Sequence, residues 1–201
     1  MPASRPAAPA EQQSIRAFVA LPLPPAVKAA LGGVVEALSP AWPSGAVRWV
    51  RPENMHLTLR FLGESPVAKL PDIAAALDAV GGQTAPFDLS LAALGSFPNR
   101  RRPQILWVGL RDGDGDLAPL KEGLDRCLQG LGWPAEQRPF RPHLTLGRIK
   151  GRARGRADWS AAVPPLDFAA GPLQLIESRL QPSGPVYTVL HRAPLAAEGT
   201  G

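Results

Sequence analysis

Apolar and polar positions change period several times along the chain, and each change predicts an element. Val27, Ala30, Leu31, Val34, Val35 and Leu38 recur at three- and four-residue intervals, with Lys28 and Glu36 between them. This spacing predicts an amphipathic helix over 26–38. A second helical period, Ile73, Leu77 and Val80, follows Pro71, a residue suited to a first helical turn. The third, Leu117, Leu120, Leu124, Leu128 and Leu131, follows the acidic turn 112–116, whose charge suits a helix N-terminus. Between these stretches lie short runs rich in β-branched and aromatic residues, bounded by Pro, Gly and Asn: 15–21, 47–50, 55–62, 87–94, 104–110, 143–149, 173–180 and 186–191. These read as strands, the last two joined by a hairpin-like turn at 181–185.

Laid side by side, the two halves repeat one order: strand, amphipathic helix, connection, then His-Leu-Thr-Leu on a strand. The intervals from Phe18 to His56 and from Trp107 to His143 differ by only two residues. The pattern predicts an α+β fold with two pseudo-symmetric antiparallel-sheet lobes, helices outside and a central cleft. A doubly wound parallel sheet is the alternative, but no Gly-rich phosphate loop follows the first strand. Residues 14–195 are expected to form a single bilobal domain, between a disordered leader at 1–13, rich in Pro and Ala, and a flexible tail at 196–201.

Composition narrows the function. No apolar run is long enough to span a bilayer, and the leader lacks a signal peptide's apolar stretch, so a cytoplasmic protein is expected. The one cysteine, Cys127, sits at helical spacing among leucines and reads as an ordinary buried thiol. A net charge of +5 and a pI near 10.1 favour an anionic partner. Much of this charge lies in Gly- and Pro-flanked runs, Arg100–Arg102 and Arg148–Arg156, which read either as solvated loops or as phosphate-binding loops.

The two tetrapeptides carry the chemistry. Side chains alternate along a strand, so His56 and Thr58 share one face, as do His143 and Thr145, while the leucines anchor the other. Two such faces across a cleft would surround a small anion with two imidazoles and two hydroxyls. Cleaving a phosphodiester requires one proton acceptor and one donor, which two groups with pKa near 6.5 can supply at neutral pH. The hydroxyls would stabilise charge on phosphoryl oxygens. A strand histidine is more often structural, but only three histidines occur here and two occupy equivalent places in identical tetrapeptides. The third, His191, reads as structural. A zinc site would need further ligands, and neither tetrapeptide brings a carboxylate or thiolate. By parity Arg60 and Arg141 would share the histidine face; Arg148 would not, unless Gly147 admits a bulge.

The paired His-x-Thr-x motifs resemble those of the 2H phosphoesterase superfamily. The surrounding sequence resembles its bacterial RNA 2′,3′-cyclic phosphodiesterase branch, also called 2′-5′ RNA ligase. The likeness covers residues 16–21, 53–63, 105–110 and 138–148 and extends from about 15 to 195. It implies hydrolysis of RNA or nucleoside 2′,3′-cyclic phosphates to 2′-phosphates without metal or other cofactor, and the protein is expected to be a monomer. His56 would be the proton donor and His143 the acceptor, with Thr58, Thr145 and Arg148 as substrate-binding residues. In some relatives the reverse chemistry joins RNA ends through a 2′-5′ bond without ATP. A non-catalytic module that binds RNA ends or nucleotides is the alternative.

Overall fold

A computed structural model of the chain describes residues 13–197 except 114, 152, 154, 156–158, 160–162 and 183. Residues 1–12 of the expected leader, residues 198–201 of the tail and three members of the second basic run (Arg152, Arg154 and Arg156) therefore lie outside the described residues. The elements run β1 (Ser14–Pro22), α1 (Pro25–Leu38), β2 (Val47–Trp49), β3 (His56–Pro66), α2 (Leu70–Gly82), β4 (Asp88–Phe97), β5 (Ile105–Asp112), α3 (Leu117–Gly130), β6 (His143–Ile149), β7 (Asp167–Ala169), β8 (Leu173–Gln181) and β9 (Gly184–Ala193). Single 3₁₀ turns occupy Ser39–Ala41, Pro52–Asn54 and Val67–Lys69.

Each helix forms where the periodic spacing predicts it. Pro25 and Pro71 open α1 and α2, where the missing N–H would have no intrahelical partner in any case. In the acidic turn before α3, the Asp112 carboxylate accepts from the N–H groups of Leu117 (2.7 Å) and Gly115 (3.2 Å). Val27, Leu31, Val34 and Leu38 of α1, Ile73 and Leu77 of α2, and Leu120, Leu124 and Leu128 of α3 are all buried in one continuous core. Cys127 is half-buried and packs against that core. His191 ties β9 to α2 through its ring nitrogen and the Asp78 carboxylate, 2.8 Å apart.

The strands form two antiparallel sheets, ordered β3-β1-β8-β9 and β2-β6-β5-β4-β7. In each sheet the motif strand lies beside the strand that opens its own half, β3 against β1 and β6 against β5. The strands that follow are exchanged. β4, from the first half, pairs with β5, and β8, from the second half, pairs with β1. β2 also crosses over, to pair with β6. The three-residue β7 is not predicted by the sequence pattern; it completes the second sheet by pairing with β4.

Candidate active site

The leucines of both tetrapeptides lie in the core, each 2 % exposed or less, while His56, Thr58, His143 and Thr145 are half-buried on the opposite faces of their sheets. The strands carrying them, β3 and β6, touch across the two sheets. Parity thus places the four motif residues as the sequence indicates and brings the two motifs to one cleft.

Parity fails just beyond the motifs, because both strands bulge at the final leucine. In β3, Thr58 lies opposite Ala20 but Arg60 lies opposite Val19, so Leu59 is the extra residue. In β6, Thr145 lies opposite Trp107 but Gly147 lies opposite Leu106, so Leu146 is the extra residue. A bulge of one residue exchanges the two faces for the residues that follow it, up to any further bulge. Phe61 lies opposite Phe18, which shares a face with Ala20, so Phe61 joins Thr58 on the cleft side. Arg148 lies opposite Ile105, which shares a face with Trp107, so Arg148 joins Thr145.

Arg60 is correspondingly turned inward, contrary to its expected place beside His56. It is 3 % exposed, bonded to Asp125 (3.1 Å) and to the carbonyl of Pro134, and 3.6 Å from Glu136; Lys121 completes the cluster, 3.0 Å from Glu136. It is a structural ion network beneath β3. Gly147 occupies the equivalent inward position in β6, and a Cβ there would stand 2.7 Å from Val47 Cγ1 and 2.9 Å from the Trp49 ring. Glycine is required for β2 to approach. Arg141 contributes its backbone carbonyl to the site.

Both imidazoles are held in the same way. His56 Nδ1 lies 2.8 Å from the Asn54 carbonyl and His143 Nδ1 lies 2.6 Å from the Arg141 carbonyl, in each case two residues earlier. A carbonyl can only accept, so Nδ1 carries the hydrogen and Nε2 is left to take or give a proton. Aromatic neighbours fix the rings. His56 stacks on Phe18 (4.8 Å between centroids) and meets Tyr187 edge-on at 5.4 Å; His143 meets Phe97 edge-on at 4.9 Å, with Trp107 at 6.1 Å. Phe18 and Trp107, the equivalent residues of the two half-chains, thus flank equivalent histidines.

Burial pushes the His56 imidazole down to about 4, partly opposed by its bond to Asn54, with the Lys28 charge lowering it further. Burial also lowers His143, and its bond to Arg141 and the charge of Arg148 act in opposite directions on it. Arg148 also acts on Tyr187, whose hydroxyl burial pushes up. Tyr187 touches His56, so Arg148 lies within electrostatic reach of both halves of the cleft. Phe61, 60 % exposed and 6.1 Å from Phe18, is the cleft residue that the sequence reading missed; the repeat itself pairs it with Arg148 once the bulges are counted. Among the described residues no group of three or more His, Cys, Asp or Glu side chains could hold a metal ion, and no helix is long and apolar enough to cross a membrane.

The two halves of the chain each match one known family. The description "LigT like Phosphoesterase" matches the chain twice, over residues 21–107 and 108–187. The chain belongs to the LigT-like phosphoesterase family. An RNA 2′,3′-cyclic phosphodiesterase of Thermus thermophilus is 36 % identical over 193 residues, 92 % of each chain. Another, from Aeropyrum pernix, is 32 % identical over 76 % of this chain and 89 % of its own. Among solved structures, one from Thermus thermophilus superposes with a TM-score of 0.78 at 34 % identity, covering 92 % of this chain and all of that one. E. coli LigT complexed with 3′-AMP gives 0.73 at 26 % identity over the same shares.

Proposed function

We propose that this chain opens 2′,3′-cyclic phosphate ends of RNA, and of nucleosides, to 2′-phosphates without a metal, with His56 as proton donor and His143 as acceptor. The observation that carries this reading is the twin mounting of the imidazoles, each with Nδ1–H tied to a backbone carbonyl two residues earlier, which leaves Nε2 for proton transfer. His143 Nε2 takes a proton from water as its oxygen attacks phosphorus. His56 delivers a proton to the departing 3′-oxygen, leaving the phosphate on the 2′-oxygen. Each transfer contributes on the order of 10² to 10⁴ in rate. The Thr58 and Thr145 hydroxyls and the Arg148 guanidinium receive the non-bridging oxygens as charge builds.

The positive charge of Arg148 favours the neutral form of His143, which suits an acceptor. His56 must gain its proton as an anion enters, because in the empty cleft burial holds it neutral at physiological pH. Phe61, exposed beside Phe18, offers a flat surface on the His56 side for the terminal base. The relatives named RNA 2′,3′-cyclic phosphodiesterase support the substrate class, and the same two proton transfers run backwards would join RNA ends through a 2′-5′ bond. Residues 14–195 act as one catalytic domain, since each sheet takes strands from both halves of the chain, and one copy supplies both motifs.

Incubating the purified protein with 2′,3′-cyclic AMP in EDTA tests the reading. Turnover to 2′-AMP is expected, together with its loss in folded His56→Ala and His143→Ala. Binding without turnover would leave a nucleotide-binding module instead, and turnover abolished by EDTA would point to a metal.

A further inference from the structure

The two sides of the cleft differ in what fills the space beside the aromatic residue flanking each histidine. On the first sheet Phe18 lies opposite Ile176, and Tyr187 and Val189 pack around the pair. On the second sheet the residue opposite Trp107 is Gly95, and a Cβ there would stand 2.2 Å from the indole. The glycine lets the ring lie across β4. Ala92, Ala93 and Gly109 are equally small, and Gly109 lies directly opposite His143. The register places Gly95, Trp107, Gly109 and His143 on one face of the sheet. The outcome is an open depression of about 450 Å³ bounded by Trp107, with Asn99 and Arg100 also lining it.

The chemistry gives this asymmetry a meaning. Opening a cyclic phosphate places the attacking and departing oxygens on opposite sides of phosphorus. The terminal nucleoside carries the departing 3′-oxygen and so belongs near the donor, His56. The depression lies beside His143, on the side from which the attacking oxygen arrives. An attacking water takes only about 30 Å³, whereas the depression is of small-ligand size.

We propose that the depression formed by Gly95, Trp107, Gly109 and Ala93 beside His143 is a second nucleoside site, which holds the nucleoside whose 5′-hydroxyl replaces water as nucleophile. Its base stacks on the Trp107 ring, and Asn99 and Arg100 supply polar and cationic contacts. The 5′-oxygen bonds to phosphorus and its proton passes to His143. The bond from phosphorus to the 3′-oxygen breaks, that oxygen takes the proton of His56, and a 2′-5′ phosphodiester with a free 3′-hydroxyl results. Occupancy of this site then decides between joining and hydrolysis.

The inference rests on the donor and acceptor roles given above, and its test is separable from theirs. Adenosine is titrated by calorimetry, up to millimolar concentration, into protein saturated with 2′-AMP. Adenosine is expected to bind the saturated protein. Ala93→Leu fills the depression from an exposed position, and Ala92→Leu serves as a second filling variant. Each is expected to weaken adenosine at least tenfold while 2′-AMP binds within about twofold of wild type. The proposal is overturned if adenosine competes with 2′-AMP, fails to bind the saturated protein, or binds the filled variants as it binds wild type. Hydrolysis of 2′,3′-cyclic AMP by the same wild-type preparation reports independently on the function; its absence would sink that reading and leave the calorimetry interpretable.

Discussion

His56 is expected to change protonation state when the cleft fills, and the size of the change follows from its surroundings. Burial holds the free imidazole at about 4, which means that charging it costs about 3 kcal/mol more than in water. At pH 7 roughly one molecule in a thousand would carry that proton. A phosphoryl anion about 4 Å away, at an effective dielectric near 20, returns about 4 kcal/mol. The two magnitudes are comparable, so binding 2′-AMP should bring the His56 midpoint back by about two pH units or more, toward the ordinary histidine range. The measurement is NMR titration of the His56 ring signals, assigned with a His56→Gln variant, in free protein and with saturating 2′-AMP. A free-protein midpoint near 6.5, or a low midpoint that 2′-AMP leaves in place, would refute the argument that substrate itself charges the donor.

Further consequences can be measured separately. Arg148→Ala should lower kcat/KM for 2′,3′-cyclic AMP by roughly 10²- to 10³-fold with little change in melting temperature. Arg60→Met should do the reverse, losing roughly 3 kcal/mol in chemical denaturation, at the lower end for a broken buried pair because Lys121 still pairs with both carboxylates. A stable but inactive Arg60→Met would return Arg60 to the cleft. Gly147→Val should cost about 1–3 kcal/mol by forcing β2 from β6; unchanged stability would show that the strands part without cost. Because the folded pKa of His56 lies below the unfolded value, the unfolded chain binds protons first as pH falls. Stability is then full above about 6.5 and declines toward about 4, by about 3 kcal/mol from His56 alone. Denaturation curves of His56→Gln between pH 7 and 4 should be flatter than wild type, and equal slopes would count against the burial effect.

The helices and most strands were legible because their apolar period is regular, as with Leu120, Leu124 and Leu128 or the buried Leu57 and Leu144. The four motif residues were legible for the same reason, since two-residue alternation holds from His56 to Thr58 and from His143 to Thr145. Beyond them the rule breaks. A leucine at a bulge has the same composition as one in a regular strand, so nothing in Leu59-Arg60-Phe61 announces that Arg60 turns inward and Phe61 outward. The register fixes it. Gly147 was the one signal of a bulge, and it marks the second strand only. β7 escaped because Asp167-Phe168-Ala169 is too short to show a period, and the exchange of β4 and β8 escaped because a strand's sequence does not name its partner.

That exchange bears on how the protein is made. β1, near the start of the chain, has Phe18 opposite Ile176 of β8. During synthesis at roughly 5–20 residues per second, β1 would therefore wait on the order of ten to thirty seconds for its second neighbour to be made. Through that interval one edge of the first sheet has no strand beside it, and unpaired edges are where nascent chains aggregate. The histidine platform that is translated first is thus completed almost last. Assembly gated by such distant pairings is slow for a chain of this size, and a ribosome stalled before residue 173 would display His56 on a sheet still lacking β8 and β9.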